Sequence, residues 1–403
     1  DMEQSDEPRQ SSDVVSATDL QEEGMSVFDL HREMIEVVSR EYSPWEPGES
    51  QGFFAAYQWC KDPEVAWFRM LLQVTGRVPF STRNWAARCA SLFFMMCWCT
   101  LPWGCTVPFF VNLDLEQSGA DRPGDVWTSL LVVITFVFSL FAHLGSLVLC
   151  RSQDWAIYVE YAHCCKFLSR WWKRSQMLVQ AVFGVVGTWL LSLTATNFVF
   201  AREDDAEPWW VFVASRVGWW VSVATSVSLY IVATTFCSVA VDSFGTQLIS
   251  APALPGLTSV FNILAAVVRR MGFFLEFTFL VITQVNLGIV GLAVSFLLAN
   301  PAPTVRQAVD LGSCALWLVL TFALFNGVAV VNLKFERLPT LANARNFGLE
   351  IDTGKLCFVH CLESNDAGLK MYNVRIDRRT IMKVTYYTVA VLGALLPRLF
   401  TAG

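Results

Sequence analysis

The chain has 403 residues, of which 54% are apolar and 16% charged, against about 45–50% and about 25% in an ordinary soluble domain. The excess lies in long uninterrupted runs, which excludes a merely enlarged soluble core and points to membrane spans. The net charge of −6 is partitioned by segment rather than spread, no nucleic-acid partner is expected, and the twelve scattered cysteines argue against a disulfide framework.

Residues 1–25 read as a disordered acidic tail, carrying Asp1, Glu3, Asp6, Glu7, Asp13, Asp19, Glu22 and Glu23. No cleavable signal is recognisable there, so the first span is expected to direct its own insertion. Residues 26–88 are expected to form a cytosolic helical region. Seven apolar stretches then approach the ~20 residues that a bilayer core requires: 89–111, 127–150, 177–200, 209–241, 273–298, 311–331 and 384–400. The fourth is too long for one crossing and is expected to run on into the cytosol as a helix.

The loops alternate in charge. Asp114–Asp125 sets Arg122 against four acids, and Ala201–Pro208 sets Arg202 against four. Between them, Arg151–Arg174 carries Arg151, Lys166, Arg170, Lys173 and Arg174, and Asn332–Lys383 holds nine Lys and Arg residues. Short basic loops stay cytosolic. The expected architecture is therefore an all-α, seven-helix membrane protein with its amino terminus inside and its carboxyl terminus outside. That is the reverse of a G-protein-coupled receptor.

Two segments carry a family resemblance. Before the first span the chain reads Phe68-Arg-Met-Leu-Leu-Gln-Val-Thr-Gly76-Arg-Val-Pro79, an amphipathic helix ended by Gly and Pro. Before the last it reads Gly368-Leu-Lys-Met-Tyr372-Asn-Val374-Arg-Ile376-Asp377. Both resemble the signatures of the insect odorant and gustatory receptors. The terminal motif departs from the family: Thr385-Tyr386 is present, but the position of the family's Gln falls on Leu392 or, through a second alignment, Leu395. The resemblance is therefore to a distant, gustatory-receptor-like member of plant or protist type.

That resemblance implies a homotetrameric, ligand-gated cation channel in the plasma membrane, surrounded by lipid and gated by an unknown small molecule. The seventh helix would line the pore through Thr385, Thr388, Leu392, Leu395 and Leu396, which share one helical face, with Leu392 and Leu396 gating by dewetting. The region 332–383 and the overlong fourth span would form a cytosolic anchor. Candidate pocket residues are Phe136, His143, Trp189, Asn197, Arg216, Trp220 and Trp317. For Arg216 the alternative is snorkelling to the outer interface among its Trp neighbours, and for the others plain helix packing. Glu276 is expected at the inner interface or in the anchor, near Arg269 or Arg270.

His163, Cys164, Cys357, His360 and Cys361 have the chemistry of zinc ligands, but their spacing matches no standard site. No metal or other cofactor is expected. No phosphate loop, metalloprotease motif or nucleophile elbow occurs in the sequence, so the chain is not read as an enzyme. A small-solute transporter and a non-conducting scaffold of the same fold are the competing functions.

Overall fold

A computed structural model describes residues 158–200, 209–250, 256–279, 305–344 and 353–386 with a few omissions inside these stretches, and single helical residues at 70–97, 291 and 390. Among the described residues three long helices dominate: α1 (Leu168–Phe200), α2 (Trp209–Ser250) and, after a helical segment α3 at 257–273, α4 (Val305–Ala344). Within them Leu168–Thr196, Val223–Ser250 and Leu311–Ala344 are long and apolar enough to cross a membrane. A shorter helix α5 (Thr353–Ser364) follows, then an antiparallel pair β1 (Lys370–Met371) and β2 (Val374–Arg375), then a helical turn α6 at 378–383.

All three long helices outrun the apolar stretches read from sequence. α1 starts nine residues before Met177, because Phe167, Trp171 and Trp172 bury there despite the intervening charges. Phe236 of α2 sits at the centre of this cluster, with ring centroids 5.2 Å from Tyr158, 5.8 Å from Phe167 and 4.9 Å from Trp171. The Trp171 indole also donates to the Val232 carbonyl at 2.9 Å, so its polar end is satisfied as burial demands. Lys166 takes a positive φ of 53° to turn the chain into α1. Burial pushes the nearby Tyr161 hydroxyl well above its ordinary pKa, and Cys165 beside it adds to the rise.

α2 is the core helix and is buried around most of its circumference. Its hydroxyls avoid an unpaired fate by bonding the carbonyl one turn back, as Thr225 does to Val221, Ser228 to Ala224 and Thr234 to Tyr230. The overlong fourth stretch is helical throughout, and the helix continues past residue 241 to Ser250. α4 runs parallel to it, with Gly327 against Thr234 and Lys334 against Asp242. Tyr230 donates to the Leu275 carbonyl and packs edge-on against Phe279 at 5.0 Å, and Phe279 lies 5.1 Å from Phe325. The chain segment after α3 is thereby wedged between α2 and α4.

α5 lies back on α4 through Phe358, Val359 and Leu362. Lys355 donates to the Asn343 carbonyl at 3.0 Å, placing a cation on the last turn of α4, where the helix dipole is negative. The two-stranded pair is the departure from all-helical structure among the described residues. Two residues per strand are too few to give a readable alternation.

Candidate functional site at the α4–hairpin junction

Residues 368–377, which lead into α6, are fastened to α4 chiefly through the side chain of Asn332. Asn332 is fully buried. Its Nδ2 donates to the carbonyls of Leu369 (2.9 Å) and Ile376 (2.8 Å), and its Oδ1 accepts from the Leu369 amide at 2.8 Å. One carboxamide thus bridges the residue before β1 and the residue after β2, satisfying backbone groups that the two-residue ladder cannot reach. The Arg375 guanidinium donates to the Asn332 carbonyl at 3.0 Å and lies 3.5 Å from Glu336 one turn on.

Gly368 is required by this geometry twice over. Its φ is +140°, a conformation L side chains rarely adopt, and a Cβ there would stand 2.6 Å from Asn332 Oδ1. On the far side, Leu369 packs against Gly272 of α3, where a Cβ would stand 3.5 Å from the leucine side chain. Asp377 then starts α6: its Oδ1 accepts from the Thr380 amide at 2.7 Å and its carbonyl from the Ile381 amide at 3.2 Å, an N-cap. The bonds from Thr380 hold the Asp377 carboxyl below its usual pKa. Gly368 and Asp377, two letters of the terminal motif, are therefore the elements that dock the hairpin and start α6.

A second polar cluster joins the same ends of the three long helices. Lys334 of α4 donates to Asp242 and, at 2.8 Å, to Ser238 Oγ, both on α2; Arg174 of α1 stands 3.9 Å from Asp242. At the other end, the Trp189 indole of α1 donates to Ser313 Oγ of α4 at 3.2 Å and covers Gly312, where a Cβ would meet the ring at 2.5 Å.

The sequence-derived candidates fall unevenly on this frame. Thr385, Thr388, Leu392, Leu395 and Leu396 lie outside the described residues, as do Phe136, His143, His163 and Cys164. Most of 1–88, 89–111, 127–150, 273–298 and 384–400 lies outside them too. Asn197 and Arg216 are in α1 and α2, with side chains outside the description. Trp220 and Trp317 are buried at 0% and 1% exposure, and Trp189 is half-buried against Gly312 and Ser313. Cys357, His360 and Cys361 share a face of α5, the first two exposed and Cys361 packed toward the core. Glu276 is half-buried. Asn332 was not among the candidates, since a lone polar residue at the end of an apolar run carries no signal by itself.

No protein-family model and no curated relative matches the sequence. Solved structures do match. The insect olfactory receptor OR5 from Machilis hrabei superposes with a TM-score of 0.54, and its complex with eugenol with 0.53. In both cases identity is 11%, and the alignment covers 87% of this chain and 98% of the receptor. The fold is similar to that of an insect olfactory receptor. At this identity the likeness is one of fold, and it extends over nearly the whole olfactory-receptor chain. With three membrane-capable helices among the described residues, the chain is an integral membrane protein of olfactory-receptor-like, mostly helical architecture.

Proposed function

We propose that the chain is the subunit of a homotetrameric, ligand-gated cation channel of chemoreceptor type in the plasma membrane, with seven spans and a cytosolic amino terminus. The helix that begins at Asp377 lines the pore, with Thr385 and Thr388 facing the inner vestibule and Leu392, Leu395 and Leu396 forming apolar rings that close it by dewetting. The observation that supports this reading best is the junction. Asn332 and Gly368 lock residues 368–376, just ahead of α6, to α4, so a displacement of α4 is handed to the start of α6. The likeness to a receptor solved with a bound small molecule, eugenol, supports a small-molecule ligand here as well. Its pocket would lie toward the outer ends of α1, α2 and α4, where Trp189, Trp220, Trp317, Asn197 and Arg216 fall, joined by Phe136 and His143.

Sizing of the detergent-purified chain, followed by current recording from reconstituted protein, tests the proposal. A four-subunit particle that passes cations on exposure to an apolar or aromatic compound is expected. A monomer or dimer with solute uptake and no current would overturn it in favour of a transporter. A glycosylation site engineered after the last helix should be modified, and one between residues 345 and 352 should not.

A further inference from the structure

α1 turns one continuous face away from the protein. Along it stand Met177 (65% exposed), Leu178 (40%), Val185 (49%) and Leu191 (74%), with Ala181, Gly184 and Thr188 exposed between them. Apolar side chains this exposed on a membrane-capable helix are suited to lipid tails. The same face continues toward the start of the helix into Arg170, Lys173 and Arg174, all exposed. At a rise of 1.5 Å per residue, these three cations lie between about 4 and 11 Å below Met177 along the helix axis, within reach of a headgroup layer about 5–7 Å thick for side chains that snorkel. Arg174 is shared with Asp242. Among the described residues neither Arg170 nor Lys173 has an ion-pair partner.

We propose that Arg170 and Lys173, assisted by Arg174, bind the headgroups of anionic phospholipids of the inner leaflet. The face of α1 above them supplies the tail contacts, so one lipid is held at both ends. The charge is complementary, and the cations continue the apolar stripe on the same helical face, which a soluble anion has no use for. The inference rests on α1 crossing the bilayer with its Leu168 end on the cytosolic side, the orientation proposed above. It needs neither conduction nor a four-fold assembly, so it can stand or fall separately from the channel reading.

The test uses the full chain in nanodiscs of phosphatidylcholine, alone or mixed with phosphatidylserine, with the lipid retained after detergent exchange counted by mass spectrometry. Each juxtamembrane cation contributes about a fivefold preference for an anionic headgroup, so retained phosphatidylserine should be enriched over its share of the mixture by fivefold or more. The double variant Arg170→Gln/Lys173→Gln should lose that enrichment and keep its melting temperature in pure phosphatidylcholine, because both side chains are exposed. The charge-preserving swap Arg170→Lys/Lys173→Arg should retain it. Enrichment that is equal in the double Gln variant would overturn the proposal, as would equal retention of the two lipids by the native chain. Full displacement of phosphatidylserine by inorganic phosphate would also overturn it, since the tail contacts would then contribute nothing.

Discussion

Replacing Asn332 by Ala removes three hydrogen bonds of 2.8–2.9 Å from a site with no exposed surface. The Leu369 amide loses the acceptor it has on α4, and the carbonyls of Leu369 and Ile376 each lose a donor. An orphaned buried polar group costs about 1–3 kcal/mol, carbonyls toward the low end, so the substitution should destabilise the hairpin on α4 by about 2–5 kcal/mol. Asn332→Asp should be at least as damaging, because it keeps the bond from the Leu369 amide and turns a charged oxygen toward two carbonyls. Gly368→Ala should also destabilise, through its φ of +140° and a Cβ 2.6 Å from Asn332 Oδ1. The clash depends on the Asn side chain being there, whereas the φ strain does not. The double variant Asn332→Ala/Gly368→Ala should therefore be more stable than the sum of the singles implies, by about 0.5–3 kcal/mol. Hydrogen exchange of the Leu369 amide in the detergent-solubilised chain, with thermal melting alongside, reads both effects. Unchanged protection of Leu369 in Asn332→Ala, or strict additivity in the cycle, would refute the clamp.

Three further outcomes follow from the geometry. Asp377, whose carboxyl is held low by the bonds from Thr380, should stabilise the start of α6 fully above the ordinary carboxylate range and lose that contribution as pH falls through its lowered value. Asp377→Asn should remove the pH dependence of Thr380 amide exchange while keeping a cap, and a pH dependence surviving in that variant would assign it to another group. Lys334→Met should cost no more than about 1 kcal/mol in melting experiments, because Asp242 is substantially exposed and the pair is screened; a larger loss would mean that the Ser238 bond dominates. Gly312→Ala should push the Trp189 ring off α4 and break its bond to Ser313, and Trp189→Phe, which removes the same bond without the clash, should cost about 0.5–1.5 kcal/mol. If Gly312→Ala melts as the native chain does, the ring is not seated as described.

Much of the frame could be read from hydropathy, because α1, α2 and α4 are built on apolar runs that no soluble fold would tolerate. The fourth stretch, too long for one crossing, is helical over its whole length, and its further nine residues to Ser250 were not legible from hydropathy. The ends of α1 and α4 could not be read so easily. Charged residues such as Lys173 and Lys334 interrupt the apolar pattern, yet the helices persist because Trp171 and Trp172 bury between the charges and because Asp242 and Ser238 meet Lys334. The terminal motif was recognisable as letters, Gly368 and Asp377 among them, but its physical reason depends on Asn332, 36 positions earlier in the sequence. A single carboxamide is invisible to any periodicity, and only the folded arrangement brings it against Leu369 and Ile376. The alternation across Lys370–Arg375 was likewise too short to separate a hairpin from a loop. An aromatic residue in an apolar helix signals packing and ligand contact alike, and Trp220 and Trp317 are buried so fully that packing accounts for them.

The central claim, that the last helix lines and closes a cation pore, is tested most directly by recording from reconstituted chains carrying Leu392→Ala or Leu396→Ala. Shortening an apolar ring lets water fill the constriction, so both variants should show raised basal current without added ligand, while Asn332→Ala should weaken the evoked response. Basal and evoked currents unchanged by both leucine substitutions would contradict the claim and remove this helix from the conduction path.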